Sequence, residues 1–259
     1  MSIRDKYLWD TVQYNKYSKL DIWKSGTPVT APVFVYVPGG GWVWGSRKYQ
    51  GYQLLSHLCD RGWICVSVGY RTGFRRWPDQ LNDVRDAWNW CSQNLMDYDA
   101  GEFMAIGGAS AGGHMASLIG LEKSHNHPDA VVSFYGVYDF TSPRLDHQLI
   151  NAYVQNVVVG EPKKSTIYRN ASPIRRIHSE APPFMLVQGT ADVLTPSGGA
   201  RDFERKLKLI SRNEVRYHEV PRGVHAFDLF PSDQTLSAVD SVYDFLTDAY
   251  VEDGLRRAM

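Results

Sequence analysis

The chain has 259 residues, 43% hydrophobic and 22% charged, the balance of a soluble globular protein with room for one large α/β core. Its 28 Lys and Arg offset 28 Asp and Glu, so no global field favours nucleic acid or an anionic membrane surface. No apolar run is long enough to span a bilayer. The N-terminal stretch carries Arg4, Asp5, Lys6 and Asp10 where a leader would be apolar. Cys59, Cys65 and Cys91 are odd in number and lack C-x-x-C spacing. They read as buried thiols in a reducing, cytoplasmic setting, with no disulfide or metal frame.

Residues 7–24 alternate apolar and polar around a turn near Asn15-Lys16 and predict an N-terminal hairpin. Gly26 to Pro32 reads as a turn. Val33-Phe34-Val35-Tyr36-Val37 predicts a buried strand, and it runs into Pro38-Gly39-Gly40-Gly41-Trp42. Three successive glycines allow a backbone that turns its amides toward a ligand. Leu54, Leu55 and Leu58 suit a short helix, and Trp63 to Val68 the next strand. Leu81, Val84, Trp88, Cys91 and Leu95 keep a helical spacing behind Pro78. Phe103 to Gly108 predicts a strand, and the residues after Ser110 a helix whose apolar face is Met115, Leu118 and Ile119. Ala130 to Phe134 predicts another strand.

Residues 139–181 hold Pro143, Pro162 and Pro173 and keep no clean period. They read as an insertion over the sheet, in the manner of a small lid. Phe184 to Val187 predicts a strand ending at Gln188-Gly189-Thr190-Ala191-Asp192. Ala200, Phe203, Leu207 and Ile210 mark a helix. Val215 to Val220 is a last strand, followed by Gly223-Val224-His225. Leu236 to Leu246 gives a closing helix. Strands alternating with helices predict a mostly parallel central sheet covered on both faces. No repeat or linker divides the chain, so 1–259 is expected to form one domain.

Gly108-Ala109-Ser110-Ala111-Gly112 fits G-x-S-x-G. A strand turning sharply into a helix holds the serine strained, with its hydroxyl clear of the backbone. Side chains two residues to either side would crowd that turn. Asp192 and His225 also fall just after predicted strands, and loops at the carboxyl ends of parallel strands gather on one edge. A serine hydroxyl needs a base within reach. His225 can take the proton and return it, and Asp192 can hold the imidazole tautomer. Each residue has a plainer reading: a tight turn for Ser110, a helix cap for Asp192, a surface histidine for His225. Taken together, in the order Ser–Asp–His, they predict a catalytic triad. Gly40 and Gly41 of the glycine run, with Ala111 at the helix start, are the expected oxyanion donors.

These motifs resemble an α/β-hydrolase-fold serine esterase of the hormone-sensitive-lipase-like and kynurenine-formamidase-like group, from about Val33 to Phe230. Pro38-Gly39-Gly40-Gly41-Trp42 matches the family's H-G-G-G oxyanion loop, and Gly69-Tyr70-Arg71 its D-Y-R. Gly108 to Gly113 matches G-D-S-A-G-G, Gly189-Thr190-Ala191-Asp192 its H-G-x-x-D, and Val224-His225-Ala226-Phe227 its histidine motif. Pro38, Gly69, Ala109 and Gln188 depart from the pattern. None is a triad member, but lost side-chain bonds near the glycine run put its rigidity in question. The stretch ahead of the first core strand is shorter than the cap of many hormone-sensitive-lipase-like enzymes, so a more open acyl pocket is expected.

Weaker candidates complete the reading. Trp42 and Trp44 could line the substrate pocket or simply pack in the core. His114 is expected on the helix flank and not as the base. Arg75-Arg76 reads as a solvated loop. His125 and His127 lack a third ligand at zinc spacing. Asp139 and Asp228 are the fallback acids. The expected activity is hydrolysis of small-molecule carboxylic esters without cofactor or metal. Two alternatives stand beside it: an arylformamidase acting on N-formylkynurenine, and a hydrolase-fold protein used only for binding. Nucleic acid and membrane are not expected partners, and a homodimer is left open.

Overall fold

The computed structural model describes residues 3–26, 30–161 and 166–258, the side chains of Ile3 and Arg4 excepted. A short helix α1 (Ile3–Tyr7) leads into strands β1 (Leu8–Gln13) and β2 (Lys19–Trp23). Then come β3 (Ala31–Val37), α2 (Tyr52–Cys59), β4 (Ile64–Val68), α3 (Asp79–Asn94), β5 (Ala100–Ala109), α4 (Ala111–Gly120) and β6 (Ala130–Phe134). Helices α5 (Gln148–Tyr153) and α6 (Thr166–Asn170) precede β7 (Phe184–Gly189), α7 (Ser197–Ile210), β8 (Val215–Val220) and α8 (Asp233–Arg257).

The eight strands form one sheet in the order β1-β2-β4-β3-β5-β6-β7-β8. β1, β2 and β4 pair antiparallel, and every pairing from β4–β3 through β7–β8 is parallel. The expected hairpin is β1–β2, and it extends the sheet at the β4 edge.

Both faces of β3 are buried, which is why its sequence is an unbroken apolar run. Val33, Val35 and Val37 point into one core with Trp88, Met115, Leu118 and Phe203, under α3, α4 and α7. Phe34 and Tyr36 point into the other with Leu54, Leu55, Val242 and Phe245, under α2 and α8. Ser232 caps α8, its hydroxyl accepting from the Thr235 amide at 3.1 Å.

The 139–181 segment is helical, which its sequence did not reveal. It is built from single turns at Leu145–His147 and Pro173–Arg175, the short α5 and α6, and a widened π turn at Val154–Val159. Pieces of one or two turns are too brief for a 3.6-residue period to develop. Val154, Val158, Tyr168 and Ala171 bury themselves against the α3–α4 side of the core. Pro162, with residues 163–165, and residues 27–29 of the expected Gly26–Pro32 turn lie outside the described residues.

The sharpest constraint lies where β5 turns into α4. A Cβ on Gly108 would stand 2.4 Å from the Val37 carbonyl oxygen, and one on Gly112 only 1.9 Å from the same atom. Backbone therefore touches backbone between the first turn of α4 and the end of β3. Gly112→Ala is expected to cost at least about 3 kcal/mol through overpacking, a fall of roughly 6–12 °C in Tm. Gly254→Ala, where an added Cβ on α8 meets nothing within 4 Å, should raise Tm slightly through helix propensity. Thermal unfolding followed by circular dichroism checks both.

Candidate active site

Ser110 stands between β5 and α4 with φ 55° and ψ −118°, a positive-φ conformation outside the left-handed helical region that a non-glycine residue adopts only under constraint. The constraint is visible. Its amide donates to the Phe134 carbonyl at 2.8 Å, and its carbonyl accepts from the His114 amide at 2.9 Å. The hydroxyl is left facing the edge of the sheet. There it meets Nε2 of His225 at 3.0 Å, and Nδ1 of the same ring lies 2.7 Å from Oδ2 of Asp192. A carboxylate only accepts, so Nδ1 carries the proton and Nε2 is free to accept from the serine. The three residues follow β5, β7 and β8, strands in the same parallel run.

Asp192 is held as an anion. Its side chain is fully buried and that of His225 is 17% exposed. Burial by itself raises the Asp192 carboxyl, but the hydrogen bond and charge of His225 and bonds from Thr195 bring it below the ordinary carboxylate value. Oδ1 accepts from the amides of Leu194 and Thr195, both at 2.9 Å. Oδ2 accepts from the Thr195 hydroxyl at 2.9 Å. Gln188 reaches Oδ2 only at 3.4 Å and bonds the Thr195 carbonyl at 3.0 Å. It thus braces the Asp192 turn where the family pattern has histidine.

The fallback acids are occupied elsewhere. Asp139 caps its own turn through Thr141 and pairs with Arg175 at 3.8 Å. Asp228 accepts from the Tyr135 hydroxyl. The Tyr135 ring packs 4.6 Å from the His225 ring, centroid to centroid, on a backbone at φ 37°. Tyr135 and Thr195 were not singled out from sequence. Thr195, three residues after Asp192, carries the signature of an Asx-type turn, whereas Tyr135 carried no local signal.

The glycine run faces the serine. A Cβ on Gly39 would fall 3.2 Å from that of Ser110. The Gly40 carbonyl accepts from the amides of Val43 and Trp44. Among the described residues, the amides of Gly40, Gly41 and Ala111 donate to no protein acceptor, as oxyanion donors must be before substrate arrives. The lost family side chains are compensated. The Tyr70 hydroxyl donates to the Pro38 carbonyl at 2.9 Å. Gly69 packs on Lys19, where a Cβ would lie 2.8 Å from the carbonyl oxygen. Arg71 finds its carboxylates in Asp83 and Asp79 instead.

A cavity of about 500 Å³ opens above Ser110. Trp42 and Trp44 both border it, in contrasting ways. The Trp42 indole is buried and donates to Nδ1 of His114 at 3.2 Å, whereas Trp44 is 67% exposed at the mouth. His114 is buried rather than on a flank. Its Nε2 pairs with the Ala171 carbonyl at 2.7 Å, so it is not available to the serine. Leu149, Ile150 and Tyr153 of the insertion form one wall and Val193, Leu194 and Leu229 another. None of the lining residues is Asp, Glu, Lys or Arg. Arg75 is tied to the insertion, its amide donating to the Val157 carbonyl at 2.8 Å. His125, His127 and His178 border one surface pocket, and among the described residues no trio of His, Cys, Asp or Glu is set to hold a metal ion. Nor is any helix there long and apolar enough to cross a membrane.

The BD-FAE family profile matches residues 20–207. The chain belongs to the BD-FAE family. Like other α/β-hydrolase folds, it hangs its candidate nucleophile, acid and base on three strands of one parallel run, β5, β7 and β8. The probable carboxylic ester hydrolase LipM of Mycobacterium tuberculosis is 37% identical, over 92% of this chain and 60% of that protein. Esterase LipC of the same organism is 37% identical, over 89% of this chain and 62% of that protein. This BD-FAE chain thus spans less than two thirds of the length of these curated relatives. The propionate-bound structure of esterase Est2 from Thermogutta terrifontis superposes with TM-score 0.76 at 22% identity, covering 92% of this chain and 93% of that one. That similarity is one of fold.

Burial lowers the His114 imidazole to about 4, against a bond to Ala171 that acts the other way. Unfolded, it titrates near 6.5. Below that value the unfolded state binds the extra proton, so stability falls as pH drops from 6.5 toward 4. The loss between pH 7 and pH 5 should be about 2 kcal/mol from this residue. In His114→Gln, urea midpoints at the two pH values should lie correspondingly closer together, although the variant is weaker at pH 7.

Proposed function

We propose that the protein is a serine hydrolase of small carboxylic esters. The observation that carries the reading is the relay Asp192–His225–Ser110, with contacts of 2.7 and 3.0 Å and the amides of Gly40, Gly41 and Ala111 unspent beside it. His225 Nε2 removes the Ser110 proton as Oγ attacks the ester carbonyl. The imidazolium is stabilised by Asp192 through Nδ1–H. The carbonyl oxygen becomes an oxyanion facing Gly40, Gly41 and Ala111. On collapse, His225 returns the proton to the departing alcohol, leaving an acyl group on Ser110. Water then attacks the acyl carbon, His225 takes its proton and returns it to Oγ, and the carboxylic acid leaves.

The cavity supports uncharged substrates with an apolar acyl or alcohol part, since its walls offer no fixed charge to meet an ionic group. The names of LipM and LipC point to esters rather than formamides. A complete relay is also a poor fit to a role in binding alone. We read the chain as one hydrolase domain of cytoplasmic location, which the three buried unpaired thiols support. Light scattering tests the homodimer that the sequence leaves open.

Hydrolysis of p-nitrophenyl acetate, butyrate and octanoate by wild type and Ser110→Ala tests the central claim. Turnover should fall by at least about 10⁴ in the variant, and a fluorophosphonate should label wild type only. Equal turnover by the two proteins overturns the reading.

A further inference from the structure

We infer that Tyr153, from the 139–181 insertion, is a positioning residue for the oxyanion loop: its hydroxyl fixes the peptide that follows Gly41. The inference rests on the serine-hydrolase reading and extends it to a residue outside the family motifs. Tyr153 ends α5, is half-buried and lines the cavity. Its Oη donates to the Gly41 carbonyl at 2.9 Å.

That contact matters because of where Gly41 sits. Its φ is 59°, a region in which glycine moves with little steric resistance. Two peptide planes meet at its Cα. The plane before it carries the Gly41 N–H and is held by the loop itself, since the Gly40 carbonyl accepts from the amides of Val43 at 3.2 Å and Trp44 at 2.9 Å. The plane after it carries the Gly41 carbonyl, and among the described residues Tyr153 is the donor that holds it. With both planes fixed, the Gly41 N–H has one direction. With the second released, the two bonds at the Gly40 carbonyl are left to hold the first plane alone, and the donor's aim spreads.

The fit is close. A Cβ on Gly41 would lie 2.7 Å from the Tyr153 hydroxyl oxygen, so the hydroxyl fills the space that a side chain at 41 would need. Where the resembled motifs carry a histidine before the glycine run and an aspartate before Tyr70, this chain has Pro38 and Gly69, neither of which offers a side-chain hydrogen bond to the loop. Tyr70 braces the start of the loop at Pro38, and Tyr153 braces its far end. The insertion therefore does more than roof the cavity. It supplies part of the rigidity on which oxyanion stabilisation depends.

A loosened donor weakens the transition state more than the ground state, so the effect belongs in kcat. Removing a whole oxyanion donor costs about 10²–10³ in rate, and loosening one should cost about tenfold. The test compares wild type, Tyr153→Phe and Ile150→Ala on p-nitrophenyl butyrate, with butylboronic acid as an inhibitor whose serine adduct is tetrahedral and anionic. Tyr153→Phe keeps the ring and loses the donor. Its kcat should drop about tenfold with KM within about twofold, and its boronate inhibition constant should rise in parallel with the fall in kcat. Ile150→Ala, which alters only the wall, should move KM more than kcat. Tm measured on each variant separates a fold defect from this effect, because the expected split in kcat and boronate affinity does not follow from lower stability. An active wild type with a Tyr153→Phe variant of unchanged kcat and boronate affinity, or with a loss confined to KM, overturns the inference alone. A wild type that neither hydrolyses the ester nor binds the boronate overturns the serine-hydrolase reading and this inference with it.

Discussion

Everything at the candidate site depends on one backbone-to-backbone crossing, where the first turn of α4 lies on the end of β3. The Val37 carbonyl oxygen leaves no room for a side chain at Gly108 or Gly112. This contact holds the turn in which Ser110 takes its positive φ. It also fixes the start of the glycine loop, because Pro38 follows directly from Val37. The candidate nucleophile and the candidate oxyanion donors are thus set against each other by main-chain packing, before any side-chain bond is made. Such packing cannot relax by choosing another rotamer, which makes it a better foundation for a site that must be rigid than surface ion pairs would be.

The candidate base is organised on a different principle. Asp192 is buried, and its charge is sustained by His225, two amides and the Thr195 hydroxyl. The Tyr135 ring closes against the imidazole from the side, and the Tyr135 carbonyl lies 3.1 Å from the Thr195 hydroxyl, sharing its single proton with Asp192. One threonine therefore links the carboxylate to the residue that packs on the imidazole. A buried network of this kind is worth keeping only when every member is satisfied, and at Asp192 both oxygens are.

Much of this was legible in the sequence, for identifiable reasons. Ser110, Asp192 and His225 each fall within three residues of a glycine, just past a strand, and such positions converge in any parallel sheet. The continuous apolar strands and the helical spacing behind Pro78 likewise follow from burial periodicities that a single sequence carries. What was not legible depends on long-range geometry. Trp42 and Trp44 are the same residue type two positions apart. Only the turn between them, with Trp42 at φ 62°, sends one indole into the core beside His114 and leaves the other in solvent. The insertion kept no period because its helices are too short. Tyr153 therefore resembled any tyrosine until the fold brought it across 112 positions to Gly41. The departures at Pro38 and Gly69 suggested a loosened loop, and sequence gave no hint that two tyrosine hydroxyls would restrain it.

The charge-free lining of the cavity has a consequence for the acid product. The proposed reaction converts a neutral ester into an alcohol and a carboxylate. An anion inside walls without Lys or Arg has lost its water and gained no counter-ion. Beyond His225 and the loop amides the walls offer the acid nothing that compensates its lost water, so accumulated acid should inhibit weakly.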